Sequence, residues 1–238
     1  SIRRYEVDAW LLQRSGAPVD AHAVREIQAD GDGYIIDGKF RCRYLIGAGG
    51  TRCPVYRNLF RKSDPRSEEL QVVAQELEFE YPWQDPRCHL WFFRQGLPGY
   101  AWYVPKENGY LNIGVGAMAS RLKSRKNHIQ QHWENLCKEL GKAGLVTTEM
   151  PDPGGYSYYV RSGIDIGRLG NAFVIGDSAG LATRDLCEGI GPAVRSGLLA
   201  ARTIATGAPY SLDSVKRYSG GNRWMRRGLE YLMLGAGR

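Results

Sequence analysis

The stretch from Asn171 to Ala201, NAFVIGDSAGLATRDLCEGIGPAVRSGLLAA, restricts the fold more than any other part of this 238-residue chain. Its start, Ala172 to Ile175, reads as a short buried strand. An abrupt Gly176–Asp177 follows, then a glycine-rich loop, then a long helix from Gly189 to Thr206 with many small residues. Glu188, Gly189 and Gly191 stand at the helix entry, where residues without bulk let a ligand approach the backbone. Amides at a helix start are unpaired and partly positive, so they attract phosphate or a negatively charged ring edge. Asp177, at the end of a strand, can accept hydrogen bonds from sugar-like hydroxyls. Ala193, Gly197, Ala200 and Ala201 let the helix pack closely on a sheet. A plain βα unit whose glycines serve only packing satisfies the same pattern, and physics alone leaves the two readings level.

Around this unit the order of elements is mixed. Asp8 to Arg14 reads as a helix with Ala9, Leu12 and Trp10 inward. Val24–Gln28, Tyr34–Asp37 and Lys39–Ile46 are short β-like runs, with the turn signal AlaAspGlyAspGly at 29–33. A charged break, KSDPRSE at 62–68, precedes β-like runs at Leu70–Tyr81, Cys88–Arg94, Gly99–Pro105 and Tyr110–Ala117, rich in aromatic residues. Lys126–Leu140 is helical, with Ile129, Trp133 and Leu136 at four- and three-residue spacing. Tyr156–Arg161 is a further strand, and the tail from Leu212 reads as two helical pieces. The fold class is therefore mixed α/β: an αβ domain over 1–62 and 166–207, interrupted by an antiparallel-sheet domain over 63–165, with a helical tail over 208–238.

Composition removes several classes. Apolar content is 43% and charged content 24%, as in an ordinary globular sequence. The longest apolar runs are too short to span a bilayer. The chain opens SIRRYEVDAW, with no apolar region behind the arginines, so no signal peptide is expected. Cys42, Cys53, Cys88, Cys137 and Cys187 form no CxxC pair and no regular framework, which favours free thiols in a reducing, cytoplasmic compartment over disulfides or a metal site. The net charge is +7, with basic runs at Arg121–Lys126 and Arg223–Arg227. These read first as solvated faces, second as surfaces for peripheral contact with an anionic membrane. Neither lies in a nucleic-acid-binding motif, so no nucleic-acid partner is expected. Gly114–Ala119, GVGAMA, fits GxGxxA after a strand, but no acidic strand end follows at the spacing a dinucleotide site needs.

The string from Gly176 to Ala201 resembles the second FAD-binding motif of the aromatic-hydroxylase and geranylgeranyl reductase superfamily: GDAAG, a loop, GEGI and a helix ending SG–AA. That resemblance implies FAD as cofactor, with the ribityl chain on Asp177. Gly176, Ala179 and Gly180 would shape the turn, and the loop 178–187 would pass the pyrophosphate and isoalloxazine. The amides near Gly189 and Ile190 would face the flavin N1/O2 edge. Two positions depart from the pattern: Arg184 replaces a proline and Cys187 a glycine. A thiol at a helix start can have a lowered pKa, which makes Cys187 a candidate proton donor; the alternative is a small filler residue.

Two further segments carry the same resemblance in the same order. Arg43–Arg57, RYLIGAGGTRCPVYR, matches a motif of the form GADGxxSxVR, with Gly49 for the aspartate and Cys53 for the serine, and makes Gly49 and Gly50 cofactor candidates. Arg4–Leu12 resembles a segment whose arginine sits near the FAD phosphates, so Arg4 is a candidate, a plain surface arginine being the alternative. Gly99–Gly116 contains YAWYVPK, similar to the YxWxFPK element of geranylgeranyl reductases. Alternation puts Tyr100, Trp102 and Val104 on one strand face. The resemblance implies that these, with Trp91 and Pro105, line a cavity for an isoprenoid chain beside the flavin, and Tyr100 is the other candidate proton donor.

The implied function is FAD-dependent reduction of carbon–carbon double bonds in an isoprenoid lipid of geranylgeranyl type, with NAD(P)H, ferredoxin or the quinone pool as electron donor. The alternatives are a flavin monooxygenase or halogenase on the same scaffold, and a non-catalytic binding protein descended from a flavoenzyme. No βαβ unit with GxGxxG for the ADP half occurs in residues 1–238. The resemblance begins about a hundred residues into the family pattern, so the expectation is a truncated form that by itself binds FAD poorly and self-associates through an exposed sheet edge.

Overall fold

The structure, a computed structural model, describes residues 1–161 and 166–234. In chain order the main elements are α1 (Arg4–Ser15), β1 (Ile27–Asp30), β2 (Gly33–Ile36), β3 (Phe40–Cys42), β4 (Leu45–Gly47), β5 (Gln71–Glu80), β6 (His89–Phe92), β7 (Gly99–Lys106), β8 (Tyr110–Met118), α2 (Ala119–Ser124), α3 (Ile129–Lys142), β9 (Gly154–Tyr159), β10 (Arg168–Leu169), β11 (Ala172–Val174), α4 (Ile190–Thr206) and α5 (Arg223–Leu234). They form two compact units. The first comprises Ser1–His22, Val73–Ala117 and Arg121–Tyr156; the second comprises Ala23–Val72, Met118–Ser120 and Ser157–Arg238.

The first unit is built on a five-stranded sheet in the order β6-β7-β8-β5-β9. Strands β6, β7 and β8 pair antiparallel, with Trp91 opposite Ala101, Trp102 opposite Gly114 and Val104 opposite Asn112. The β7–β8 hairpin turns at Asn108 and Gly109, both at positive φ (58° and 71°), the geometry that Asn-Gly adopts at least cost. Helix α3 lays His132, Trp133, Leu136 and Leu140 inward at helical spacing. Trp133, Leu136 and Leu140 meet Ala101, Tyr103, Leu111, Ile113, Val115 and Ala117 of the sheet in one apolar cluster. Each large side chain buried there contributes roughly 1.5–3 kcal/mol.

Helix α1 differs from the sequence expectation. It buries no residue, and Trp10 and Leu12 are half exposed. The apolar residues Ala9 to Leu12 are consecutive, so successive side chains point about 100° apart and share no face. Residues 1–22 group with the sheet rather than with the αβ unit, because Glu107 N donates to Ser1 O (2.7 Å), Ser1 Oγ donates to Pro105 O (3.0 Å) and Arg3 pairs with Glu78 at 2.8 Å.

In the second unit β1, β2 and β3 form an antiparallel meander. Strand β11 pairs parallel with β4 and antiparallel with β10. Ala172 and Val174 of β11 pack with Ile27, Cys53, Val55, Tyr56 and Phe60. Tyr56 and Phe60 both turn inward because the chain there makes a single π turn, Arg61 N donating to Tyr56 O at 2.9 Å. The tail corrects the expectation of two helical pieces: 212–222 is not helical, and α5 is the one helix of the tail among the described residues. The tail also belongs to this unit rather than standing apart, and the GAGR end at 235–238 lies outside the described residues.

Candidate functional site

The candidate cofactor residues of the second unit converge on the turn after β11. Ile175 N donates to Gly47 O (3.1 Å), which holds the end of β11 beside that of β4. Gly176 then takes φ +53°, and a β-carbon there would come 2.8 Å from the Ala193 side chain, so only glycine lets α4 lie this close. Its amide donates to Ser196 Oγ (3.0 Å), and Ser196 Oγ donates to Pro192 O (2.8 Å). The turn Gly176–Ala179 closes on Gly180 at φ +63°.

The Asp177 carboxylate stands against the entry of α4: a β-carbon on Gly189 would come 3.0 Å from Asp177 Oδ1. Gly189, Ile190 and Gly191 at the helix start are part-exposed or exposed. The loop bearing Gly49 and Gly50 joins from the other side, where Ser178 Oγ donates to Gly50 O at 3.2 Å. A carboxylate acceptor, a helix start and two glycine turns thus share one surface. That donor and acceptor set fits a cofactor with a hydroxylated chain and an anion or electron-rich ring edge.

One residue that sequence reasoning passed over completes this surface. Arg66, read only as part of a charged break, donates from Nη1 to Thr51 O (2.7 Å) and from Nη2 to Ser178 O (2.8 Å) and Asp177 O (3.3 Å). Its guanidinium lies 3.7 Å from the Tyr56 ring centroid. Burial lowers its pKa, and the nearby phenols and Asp177 work in the opposite direction. Arg66, 111 residues before Asp177 in sequence, therefore ties the glycine loop at 49–51 to the Gly176–Ala179 turn. No local pattern signals such a link.

Cys187 lies in the loop before α4. Its thiol is buried, and desolvation, with Asp185 nearby, pushes its pKa up to about 12 rather than down. The backbone there has φ +57°, the left-handed conformation that favours the glycine of the motif. Cys187 is thus held as a protonated, buried thiol on a backbone conformation that favours glycine. Arg184, in place of the motif's proline, anchors the loop: Nε donates to Glu230 Oε1 (2.5 Å) and Nη1 to Arg161 O (2.8 Å). Asp185, fully buried, accepts from the amides of Leu186, Ser219 and Gly220 at 2.8–2.9 Å.

The remaining candidates lie in the first unit. Arg4 is on exposed α1, its Nε donating to Asp8 Oδ1 (2.8 Å), as a plain surface ion pair. Tyr100, Trp102 and Val104 do share one face of β7, all partly exposed, as the alternation predicts. With Leu90 and Phe92 of β6 they form an aromatic row, Phe92 to Tyr100 at 5.3 Å and Tyr100 to Trp102 at 5.8 Å between ring centroids. Trp91 and Pro105 do not join it. Trp91 packs into the cluster under α3 because its partner in register is Ala101, and Pro105 is buried on that same side.

Residues 69–152 match the model described as the geranylgeranyl reductase catalytic domain. Menaquinone reductase of Mycolicibacterium smegmatis is 33% identical over 195 residues, covering 73% of this chain and 44% of the relative. Digeranylgeranylglycerophospholipid reductase of Methanothrix thermoacetophila is 24% identical over 198 residues, covering 82% of this chain and 46% of the relative. A geranylgeranyl bacteriochlorophyll reductase-like protein from Thermoplasma acidophilum superposes with a TM-score of 0.63 at 18% identity, over 88% of this chain and 52% of that one. The chain thus spans less than half the length of these two curated relatives. Residues 69–152 thus carry the match to the geranylgeranyl reductase catalytic domain, and over most of its length the chain is similar to reductases of a menaquinone and of a digeranylgeranylglycerophospholipid.

Proposed function

We propose that this chain provides the substrate face and the flavin-facing turn of an FAD-dependent reductase acting on carbon–carbon double bonds of an isoprenoid lipid. The observation that carries the reading is the open aromatic row Phe92–Tyr100–Trp102 inside the segment that matches the reductase catalytic domain. A prenyl chain offers many methyl and methylene groups, each contributing about 0.8 kcal/mol when removed from water. An elongated apolar face suits it better than the compact polar pocket a small aromatic acid requires. The names of the two curated relatives, reductases of a prenyl-bearing quinone and of a prenyl phospholipid, support the substrate class.

Asp177, Gly189, Ile190 and the Gly49–Gly50 loop would hold FAD. When bound and reduced by the electron donor, the flavin would supply the hydride for one carbon of the double bond. The residues of this chain then have three tasks. Asp177 accepts hydrogen bonds from the hydroxylated chain of the cofactor. The start of α4 stabilises negative charge on the ring edge. The aromatic row holds the prenyl chain and keeps water away, while Tyr100 is the candidate that delivers a proton to the second carbon. No helix among the described residues is long and apolar enough to cross a membrane.

The test uses the protein encoded by the full reading frame, with reduced flavin, offered geranylgeranyl lipids and phenolic acids in parallel. Hydrogenated prenyl products are expected. Oxygen-dependent hydroxylation or halogenation of the phenols, with prenyl chains untouched, would overturn the reading in favour of the monooxygenase or halogenase. Asp177→Ala is expected to weaken FAD binding roughly tenfold, the loss of a hydrogen bond to a charged group.

A further inference from the structure

The open face of the five-stranded sheet carries a polar chain that the reading above leaves unused. Trp102 Nε1 donates to Asn112 Oδ1 at 2.7 Å, and Asn112 Nδ2 donates to Glu76 Oε1. Asn112 is only 6% exposed. An indole can only donate, so Asn112 must turn its oxygen toward Trp102 and its amide NH2 toward Glu76, which accepts. The amide is therefore oriented from both ends, and the order of donors along the chain has one solution.

The indole itself lies in a trough. A β-carbon on Gly114 would come 2.1 Å from Trp102 Cζ2, whereas one on Gly116 would be at an ordinary 3.6 Å from Cζ3. Gly114 is the register partner of Trp102, so the ring lies across the neighbouring strand. The other two carboxylates on this side of β5 have partners of their own: Glu78 takes Arg3 Nε at 2.8 Å and Glu80 takes Tyr110 OH at 2.5 Å. Glu76 is the one directed at the aromatic row.

We propose that Asn112 and Glu76 are positioning residues for Trp102 and, through it, set which prenyl chain the open face accepts. The proposal rests on the reading that this face receives an isoprenoid. A half-buried indole has two side-chain torsions, and fixing its nitrogen while glycine receives its ring leaves one placement. If the nitrogen is released, the ring can swing away from Gly114 and change the width of the apolar wall next to Tyr100. Neither Asn112 nor Glu76 needs to touch the reacting carbons for this effect.

A swap of donors tests the idea. Asn112→Asp sets two acceptors face to face and removes the donor to Glu76. Adding Glu76→Gln restores the order, the glutamine NH2 donating to Asp and Asp accepting from Trp102. In the full chain labelled with 15N at tryptophan, the Trp102 Nε1–H resonance is assigned by its loss in Trp102→Phe. Its exchange with deuterium is expected to quicken roughly tenfold or more in Asn112→Asp, where repulsion from the Glu76 carboxylate turns the new carboxylate away and the indole loses its fixed acceptor, and to return close to the original rate in the double variant. Glu76→Gln alone, which still offers an acceptor oxygen, is expected to change it little, and it serves where Asn112→Asp fails to fold. Unchanged exchange in a folded Asn112→Asp, no recovery in a folded double variant, or loss of protection in Glu76→Gln alone would overturn the proposal. In the complete enzyme, Asn112→Leu is expected to alter the ratio of kcat/KM between geranylgeranyl and geranyl substrates; an unmoved ratio would overturn the specificity role. If the unmodified enzyme turns over no prenyl substrate, the isoprenoid reading fails, while the exchange experiment still decides the positioning.

Discussion

The two faces of the five-stranded sheet are made from alternate residues of the same strands, yet they are built to different ends. Under α3 the odd-numbered residues Tyr103, Leu111, Ile113, Val115 and Ala117 are fully buried. That side meets the rules of a core: large apolar groups and close packing. On the other side the even-numbered residues Tyr100, Trp102, Val104, Asn112, Gly114 and Gly116 mix aromatic rings with a hydrogen-bonded amide and glycine. A core needs no braced indole and gains nothing from glycines. Those features make sense on a face whose shape matters more than its contribution to stability.

If this division is right, the largest effect of a single truncation falls on the closed face. Ile113→Ala removes buried methylenes with no room to collapse and is expected to cost roughly 2–5 kcal/mol. Val104→Ala, on the open face, is expected to cost under about 1 kcal/mol. Urea unfolding of both variants measures the difference; equal costs would break the comparison. Gly114→Ala comes next. Its methyl cannot coexist with the present indole position, and overpacking of this kind costs about 1–3 kcal/mol. The loss should be accompanied by a change in the near-UV circular dichroism of tryptophan.

Much of the first unit was legible because it rests on local rules. The alternation at 100–104, the Asn108–Gly109 turn and the periodicity of α3 all depend on neighbours a few residues apart. The glycine-aspartate turn was legible for the same reason. What escaped the sequence depends on pairing at a distance. Trp91 looks like one more aromatic of the row until its partner in register, Ala101, places it under α3. Arg66 looks like surface charge until its guanidinium meets Thr51 O and Ser178 O. Cys187 stayed open between a thiol of lowered pKa and a small filler because burial, which decides its protonation, is not a local property.

The contrast of closed and open extends to the thiols. Cys187 is buried and Cys88 exposed. At neutral pH an alkylating reagent is expected to modify Cys88 and leave Cys187 untouched until the protein unfolds, since the thiolate is the nucleophile. A pH effect follows with a definite sign. The folded state holds the Cys187 thiol protonated up to about 12, against an ordinary 9.0 when unfolded. Its contribution is fully present below pH 9 and is lost as pH rises from there toward 12. Cys187→Ala should flatten the alkaline decline of stability, measured by urea unfolding across that range; an unchanged slope would mean the thiol is not held as closed as its burial indicates.

The smallest expected effect is at Gly116, two residues along the same trough from Gly114. Its backbone is not in the left-handed region, and an added β-carbon would sit 3.6 Å from Trp102 Cζ3, ordinary van der Waals contact. Alanine also spares the extra conformational entropy that glycine loses in a strand, worth roughly 0.5–1 kcal/mol. Gly116→Ala should therefore be neutral or slightly stabilising in urea unfolding, and the Trp102 indole should keep its protection. The pair of variants separates two accounts of the open face. If glycine were present merely because this side of the sheet is unconstrained, alanine at 114 and 116 would behave alike. If the indole is seated on Gly114 and held there by Asn112, only the substitution at 114 displaces it, and the two neighbouring glycines differ by more than about 1 kcal/mol.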